Sequence, residues 1–126
     1  MNIKIINPKN KKPLHFVDGN FVDFSGGTYP IIRGVLRIAE SNNYTQNFGL
    51  QWNKFDKTQL DNEKLGISLT RTRFFAQTKW EVEDLSGKNI LEVGSGAGRF
   101  SKVVLEHTKG TLYSVDYSDA VTANYK

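Results

Sequence analysis

The sequence predicts a mixed α/β fold: a βαβ unit that opens a doubly wound sheet, preceded by a small β module and a helical stretch. Three observations carry this. An apolar strand pattern, Asn89-Ile90-Leu91-Glu92-Val93, runs directly into the glycine loop Gly94-Ser95-Gly96-Ala97-Gly98. A helical stretch follows over 99–107, with Phe100, Val103, Val104 and His107 on its inward side. A second strand pattern, Thr111-Leu112-Tyr113-Ser114-Val115, then closes on Asp116. Strand, loop, helix, strand is a crossover connection, and it implies parallel pairing.

The elements fall into three regions. Residues 1–38 are β-like, with strand patterns at Ile3-Lys4-Ile5-Ile6, Leu14-His15-Phe16-Val17, 20–24 and Tyr29-Pro30-Ile31-Ile32. Asp18-Gly19-Asn20 is expected to join the second and third as a hairpin turn, since Asp-Gly suits positive φ angles, and Ser25-Gly26-Gly27 and Arg33-Gly34 are further breaks. Residues 39–87 read as a helical connecting or lid region. Phe48, Trp52 and Phe55 share one helix face, and a second helix, capped by Ser68 or Thr70, carries Phe74, Phe75 and Trp80. Residues 81–87 are a polar exit. Residues 88–126 hold the βαβ unit, with Gly110 in the place of a glycine just past a helix end and Ser118 capping a last helix over 119–126.

Bulk properties narrow the function. The chain has 126 residues, a net charge of +4 and no cysteine, so disulfides and thiolate metal sites are excluded. His15 and His107 are far apart, and no metal is expected. No apolar run reaches the roughly 20 residues of a membrane span, and the N-terminus does not read as a signal peptide, so the expected location is the cytoplasm. Lys9, Lys11 and Lys12 form a basic cluster able to touch nucleic acid or an anionic substrate. The reading preferred from sequence is a solvated loop, with no nucleic-acid partner.

The chemistry lies in residues 91–100 and 115–118. Glycines let the backbone turn off the strand end and approach a ligand with no Cβ in the way. The following helix points free N–H groups and the positive end of its dipole at the same place. Asp116 follows the loop by about 20 residues, the distance at which an acid meets ribose hydroxyls in the dinucleotide fold. The spacing of Gly94, Gly96 and Gly98 is Gly-x-Gly-x-Gly, against the Gly-x-Gly-x-x-Gly of dinucleotide binders, and Glu92 stands two residues before it.

At these residues the sequence resembles the class I S-adenosylmethionine-dependent methyltransferases, whose first motif is an acid, x, Gly-x-Gly-x-Gly. The resemblance implies a Rossmann-like domain with S-adenosylmethionine as cofactor. It implies a cofactor-binding set of Glu92, Gly94, Ser95, Gly96, Gly98, Asp116 and Tyr117. Gly94, Gly96 and the neighbouring backbone would lie against the methionine part and ribose, Glu92 would help place the amino end, Asp116 would take the ribose hydroxyls, and Tyr117 would lie near the adenine. The cofactor carries no phosphate, so an acid beside the loop is tolerated. The catalytic residues and the methyl acceptor are not identified.

The first half resembles the same family more loosely. Residues 29–38 resemble the tail of a zinc-ribbon-like segment found before many bacterial methyltransferases, here without its cysteine pairs, so the β module is expected to rest on apolar packing alone. Residues 47–55 are similar to a Phe-Gly-x-Gln-Trp-type segment of those enzymes, a lid or simply a packed helix face. Arg71 and Arg73 are read as surface residues before cofactor contacts. Domains of this type usually exceed about 150 residues. The residues after Lys88 number about 40, enough for one βαβ unit. The expectation is therefore the N-terminal, cofactor-binding portion of such an enzyme, inactive by itself, with an open sheet edge that offers self-association. The alternatives are a non-catalytic interaction module, for which Glu92 and Asp116 have no use, and a nicotinamide-dependent oxidoreductase, which the glycine spacing disfavours.

Overall fold

The computed structural model describes residues 4–39 and 69–125. The helix expected to carry Phe48, Trp52 and Phe55, and the Ser68 cap, lie outside the described residues. The fold is mixed α/β, with one four-stranded antiparallel sheet and one parallel strand pair. It divides into two compact units, Met1–Asn42 and Asn43–Lys126.

The first unit is an antiparallel meander in the order β1 (His15–Val17), β2 (Asn20–Val22), β3 (Thr28–Ile32), β4 (Val35–Leu36). Asp18 and Gly19 turn β1 into β2 with φ of 47° and 81°, and Arg33 and Gly34 turn β3 into β4 with 52° and 80°. Positive φ at both central residues is the turn whose twist matches two paired strands. The strand expected over 3–6 does not form in the described part; Ile6 makes one isolated bridge to Pro13.

The expectation that this module rests on apolar packing alone is corrected. Asn7 and Asp23 are both buried. Asn7 Nδ2 donates to Asp23 Oδ2 at 2.7 Å and ties the turn before β1 to the turn after β2. Asn7 closes its own turn by donating its N–H to Lys12 O and accepting from Lys9 N through Oδ1, both at 2.8 Å. Asp23 Oδ1 accepts from Ser25 N, Ser25 Oγ and Gly27 N at 2.8–2.9 Å. A sheet this small buries little surface. Its ends are instead clipped by a buried polar network in which each partner satisfies the other.

The described residues of the second unit form α1 (Leu69–Thr78) and a 3-10 turn (Glu83–Leu85), followed by β5 (Asn89–Val93), α2 (Arg99–His107), β6 (Thr111–Val115) and α3 (Val121–Tyr125). β5 and β6 are parallel and in register from Asn89–Thr111 to Val93–Val115. Phe74, Leu85, Ile90, Val103 and Val104 form its core, with Phe75, Phe100 and Leu112 packed against it. Helix α1 therefore belongs to the same body as the βαβ unit, held through the Phe74 and Phe100 rings at 5.9 Å. Ile90 and Glu92 point toward α2. Leu91, Val93 and Val115 lie on the opposite face and are exposed.

Two helix ends differ from expectation, and a third is closed by a residue other than the glycine expected. Helix α1 stops at Thr78, because Lys79 takes a left-handed φ of 59° while its N–H still reaches Phe75 O; Trp80 lies beyond the helix and folds back to 6.0 Å from the Phe74 ring. Helix α2 is closed by Thr108, whose N–H and hydroxyl both bond Val104 O. Gly110 is needed for space, since a Cβ there would lie 2.7 Å from Ile90 Cδ1. Helix α3 begins at Val121, two residues later than expected, after the turn at 119–120.

The hydrogen bonds from the Ser25 hydroxyl and the Gly27 N–H, opposed by desolvation and aided by the Ser25 N–H and Asn7, hold the Asp23 carboxyl below its ordinary 3.8. A depressed folded-state value means the contribution is complete above about pH 4 and drains away as pH falls through that value. Acid titration followed by amide NMR is expected to show the first unit losing dispersion below pH 3.8. In Asp23→Ala the same amides are expected to collapse at neutral pH, while those of the second unit persist.

Candidate functional site

The site is built where two parallel strands end side by side. Because Val93 is paired with Val115, the chain leaves β5 at Gly94 and β6 at Asp116 on the same edge. The loop folds over the end of β6. Gly94 N and Ser95 N both donate to Val115 O, at 2.8 and 3.2 Å. The next loop bond is to the acid: Gly96 N donates to Asp116 Oδ2 at 2.8 Å. Gly98 N then closes a turn onto Ser95 O at 3.0 Å, and Lys102 N reaches Gly98 O as the first bond of α2.

Glycine is required at two of these positions for different reasons. Gly96 has a φ of 54°, with open space where a Cβ would stand. Gly98, at φ 90°, is the N-terminal boundary of α2 and has no side chain to cap it. A Cβ on Gly98 would run into the Asn124 side chain, lying 2.8 Å from its Cγ and 3.3 Å from its Cα. The helix therefore starts bare, with its first N–H groups and positive dipole end at the loop.

The two acids have different surroundings. Asp116 is at the rim. Its Oδ1 accepts from Ser118 N at 2.8 Å and Ser118 Oγ at 2.6 Å, while Oδ2 holds Gly96. Desolvation pushes its pKa up, but the bonds from the Ser118 hydroxyl, the Ser118 N–H and the Gly96 N–H outweigh it and hold the carboxyl below 3.8. Asp116 is an anion at neutral pH. Glu92 faces inward: its Oε2 accepts from Ser101 Oγ at 2.5 Å and Ser114 Oγ at 2.8 Å, which joins β5, α2 and β6 through one carboxylate oxygen.

Of the seven residues singled out from sequence, Gly94, Ser95, Gly96, Gly98 and Asp116 come together at the strand ends. Glu92 sits one turn of the pleat back, on the α2 side. Tyr117 follows Asp116 and is 54% exposed. Ser95 is buried, and among the described residues its Oγ is the buried side-chain oxygen without a hydrogen-bond partner. Arg71 lies with its guanidinium 6.0 Å from the Phe75 ring, and Arg73 is exposed.

Sequence reasoning did not anticipate Ser101, Ser114, Asn124 or Arg99. Arg99 Nε donates to Thr70 Oγ1 at 3.0 Å and so ties the start of α2 to α1. Small polar residues carry no pattern of their own. The available signal was that Ser101 and Ser114 would share a face with Glu92 once the βαβ register was drawn. Among the described residues, no group of three or more His, Asp or Glu is placed to hold a metal, and no helix is long and apolar enough to cross a membrane. No protein-family model matches the chain, and no curated protein matches it.

The two glycines predict an order of sensitivity. Gly96→Ala meets only the left-handed backbone penalty, about 1–2 kcal/mol. Gly98→Ala adds the overlap with Asn124, of the kind that costs a further 1–3 kcal/mol or so in a packed site. Urea denaturation of the two variants is expected to rank Gly98→Ala as the less stable; equal stability would contradict the packing described.

Proposed function

We propose that the second unit is the cofactor-binding front of a class I, Rossmann-like S-adenosylmethionine-dependent methyltransferase. The observation that carries the reading is the Gly96–Asp116 bond: an ionised acid, 20 residues away in sequence, stands against a glycine loop at the carboxyl ends of two parallel strands. Nucleoside ligands bind at such a place in doubly wound sheets.

The residues present fit this group. Both donors from Ser118 fall on Oδ1, so Asp116 Oδ2 keeps a lone pair for a ligand hydroxyl beside Gly96. The Cβ positions of Gly94 and Gly96 face open space, which leaves the backbone approachable. Ser95 Oγ is a buried polar atom still lacking a partner. A uniform pyrophosphate cradle is a poorer match, because an anionic carboxylate already occupies the Gly96 N–H and would repel phosphate. The bound cofactor would supply a methyl group on a sulfonium cation. This chain's residues would bind and orient it: Asp116 through the ribose, the Gly94–Gly96 backbone along the methionine part, and Tyr117 beside the adenine. Glu92 would favour the cationic amino end from behind the loop while bracing α2. The methyl acceptor is left unassigned.

Calorimetric titration with S-adenosylhomocysteine tests this. The expected result is binding by the wild-type chain, weakened about 10- to 150-fold in Asp116→Ala, the value of hydrogen bonds to a charged acceptor. NAD is expected not to bind. Binding of NAD in preference to S-adenosylhomocysteine, or binding indifferent to Asp116→Ala, would overturn the reading.

A further inference from the structure

The β module has a feature that the cofactor site does not use. Its register places Phe16, Phe21 and Tyr29 directly opposite one another on β1, β2 and β3, so three aromatic residues occupy one cross-strand row on the same face. Strands lie about 4.8 Å apart, so side chains directly opposite one another stand as neighbours on one face of the sheet. Phe16, at the outer end, is 62% exposed, and its ring meets that of Phe21 at 5.4 Å. Among the described residues the first unit contains no helix that could cover this face.

Charge is concentrated in the same unit. Met1–Asn42 holds six Lys or Arg against three acids, Asp18, Asp23 and Glu40, a net of +3 out of the +4 of the whole 126-residue chain. Asp23 is buried and taken up by its own network, so the exposed charge is more basic still. The placement is also specific. The Asn7–Asp23 bond fixes the lysine-bearing turn at one end of the strands, and Arg33 stands in the turn at the far end of β3. Lys9, Lys11, Lys12 and Arg33 are all exposed.

We propose that this face binds single-stranded nucleic acid, with bases stacking on the Phe16–Phe21–Tyr29 row and phosphates met by the 9–12 turn and Arg33. A row of two or three sheet aromatics between basic flanks is suited to unstacked bases, which a duplex does not offer. The lysine surplus argues against a protein partner, because interface cores are depleted in lysine. The lysine cluster alone reads as a solvated loop; it is the aromatic row beside it that changes the reading. The inference does not depend on the methyltransferase assignment.

Fluorescence anisotropy of the full chain with a labelled oligouridine of about ten nucleotides, and with a duplex of equal length, tests it. Binding to the single strand is expected in the micromolar range that basic surfaces give, falling as salt is raised. Phe16→Ala, at an exposed position, is expected to weaken it about 5- to 150-fold, the effect of losing one stacking platform. The double change Lys11→Gln/Lys12→Gln is expected to weaken it and flatten the salt dependence. Circular dichroism checks that both variants keep the wild-type fold. Absence of binding at low salt, equal binding of the duplex, or binding untouched by Phe16→Ala would overturn the proposal. So would a self-association of the wild-type chain that Phe16→Ala abolishes, since the face would then be a protein contact.

Discussion

The hydrogen bond from Gly96 N to the Asp116 carboxylate is the contact on which the second unit's site depends. It spans 20 residues and exists only because the parallel register brings the ends of β5 and β6 level. A shift of one residue would carry Asp116 away from the loop and turn Ile90 and Glu92 out of the α2 face. The amides of Gly94 and Ser95 go to Val115 O, so strand ending, loop path and acid position form one constraint. Gly98 completes it, because α2 can start there only while Asn124 of α3 lies against a residue without a Cβ.

The two acids of the motif divide the work. Glu92 is drawn in between Ser101 and Ser114 and bonds helix to sheet. A carboxylate taking two hydroxyl donors is a strong polar contact, and removing it would strand both donors. Asp116 stays at the rim, ionised, with one oxygen shared with Ser118 and the other turned to the loop. Negative charge at both places suits the cation-bearing nucleoside proposed as ligand. The β module solves a different problem: with no cysteine, it joins its turns through Asn7 and Asp23.

What was legible in the sequence follows from how local the physics is. The strand–loop–helix–strand order was readable from hydrophobic spacing and glycine placement, and the α2 bounds came out as expected because Gly98 and Thr108 bracket an unambiguous amphipathic run. Both hairpin turns were marked by an Asp-Gly or Arg-Gly pair. The Asp116 position was legible because strand length and crossover fix it. The end of α1 was not, since it depends on Lys79 entering a left-handed conformation that lysine does not advertise. The role of Gly110 was misread because close packing on Ile90 and a helix-terminal turn both call for glycine. The serines around Glu92, Asn7 with Asp23, and the aromatic row of the β module are tertiary: each becomes visible only once register places distant residues opposite one another.

The most direct test of the central claim is to map, by amide NMR, which residues respond to S-adenosylhomocysteine. The account predicts shifts confined to the loop at 94–99 and to Asp116, Tyr117 and Ser118, with the amide of Gly96 among the largest because its acceptor is the one proposed for the ligand's ribose. Residues 4–39 should stay unmoved. A response centred elsewhere, or a Gly96 amide that ignores the ligand while other residues shift, would contradict the claim that the Gly96–Asp116 pair is the heart of the site.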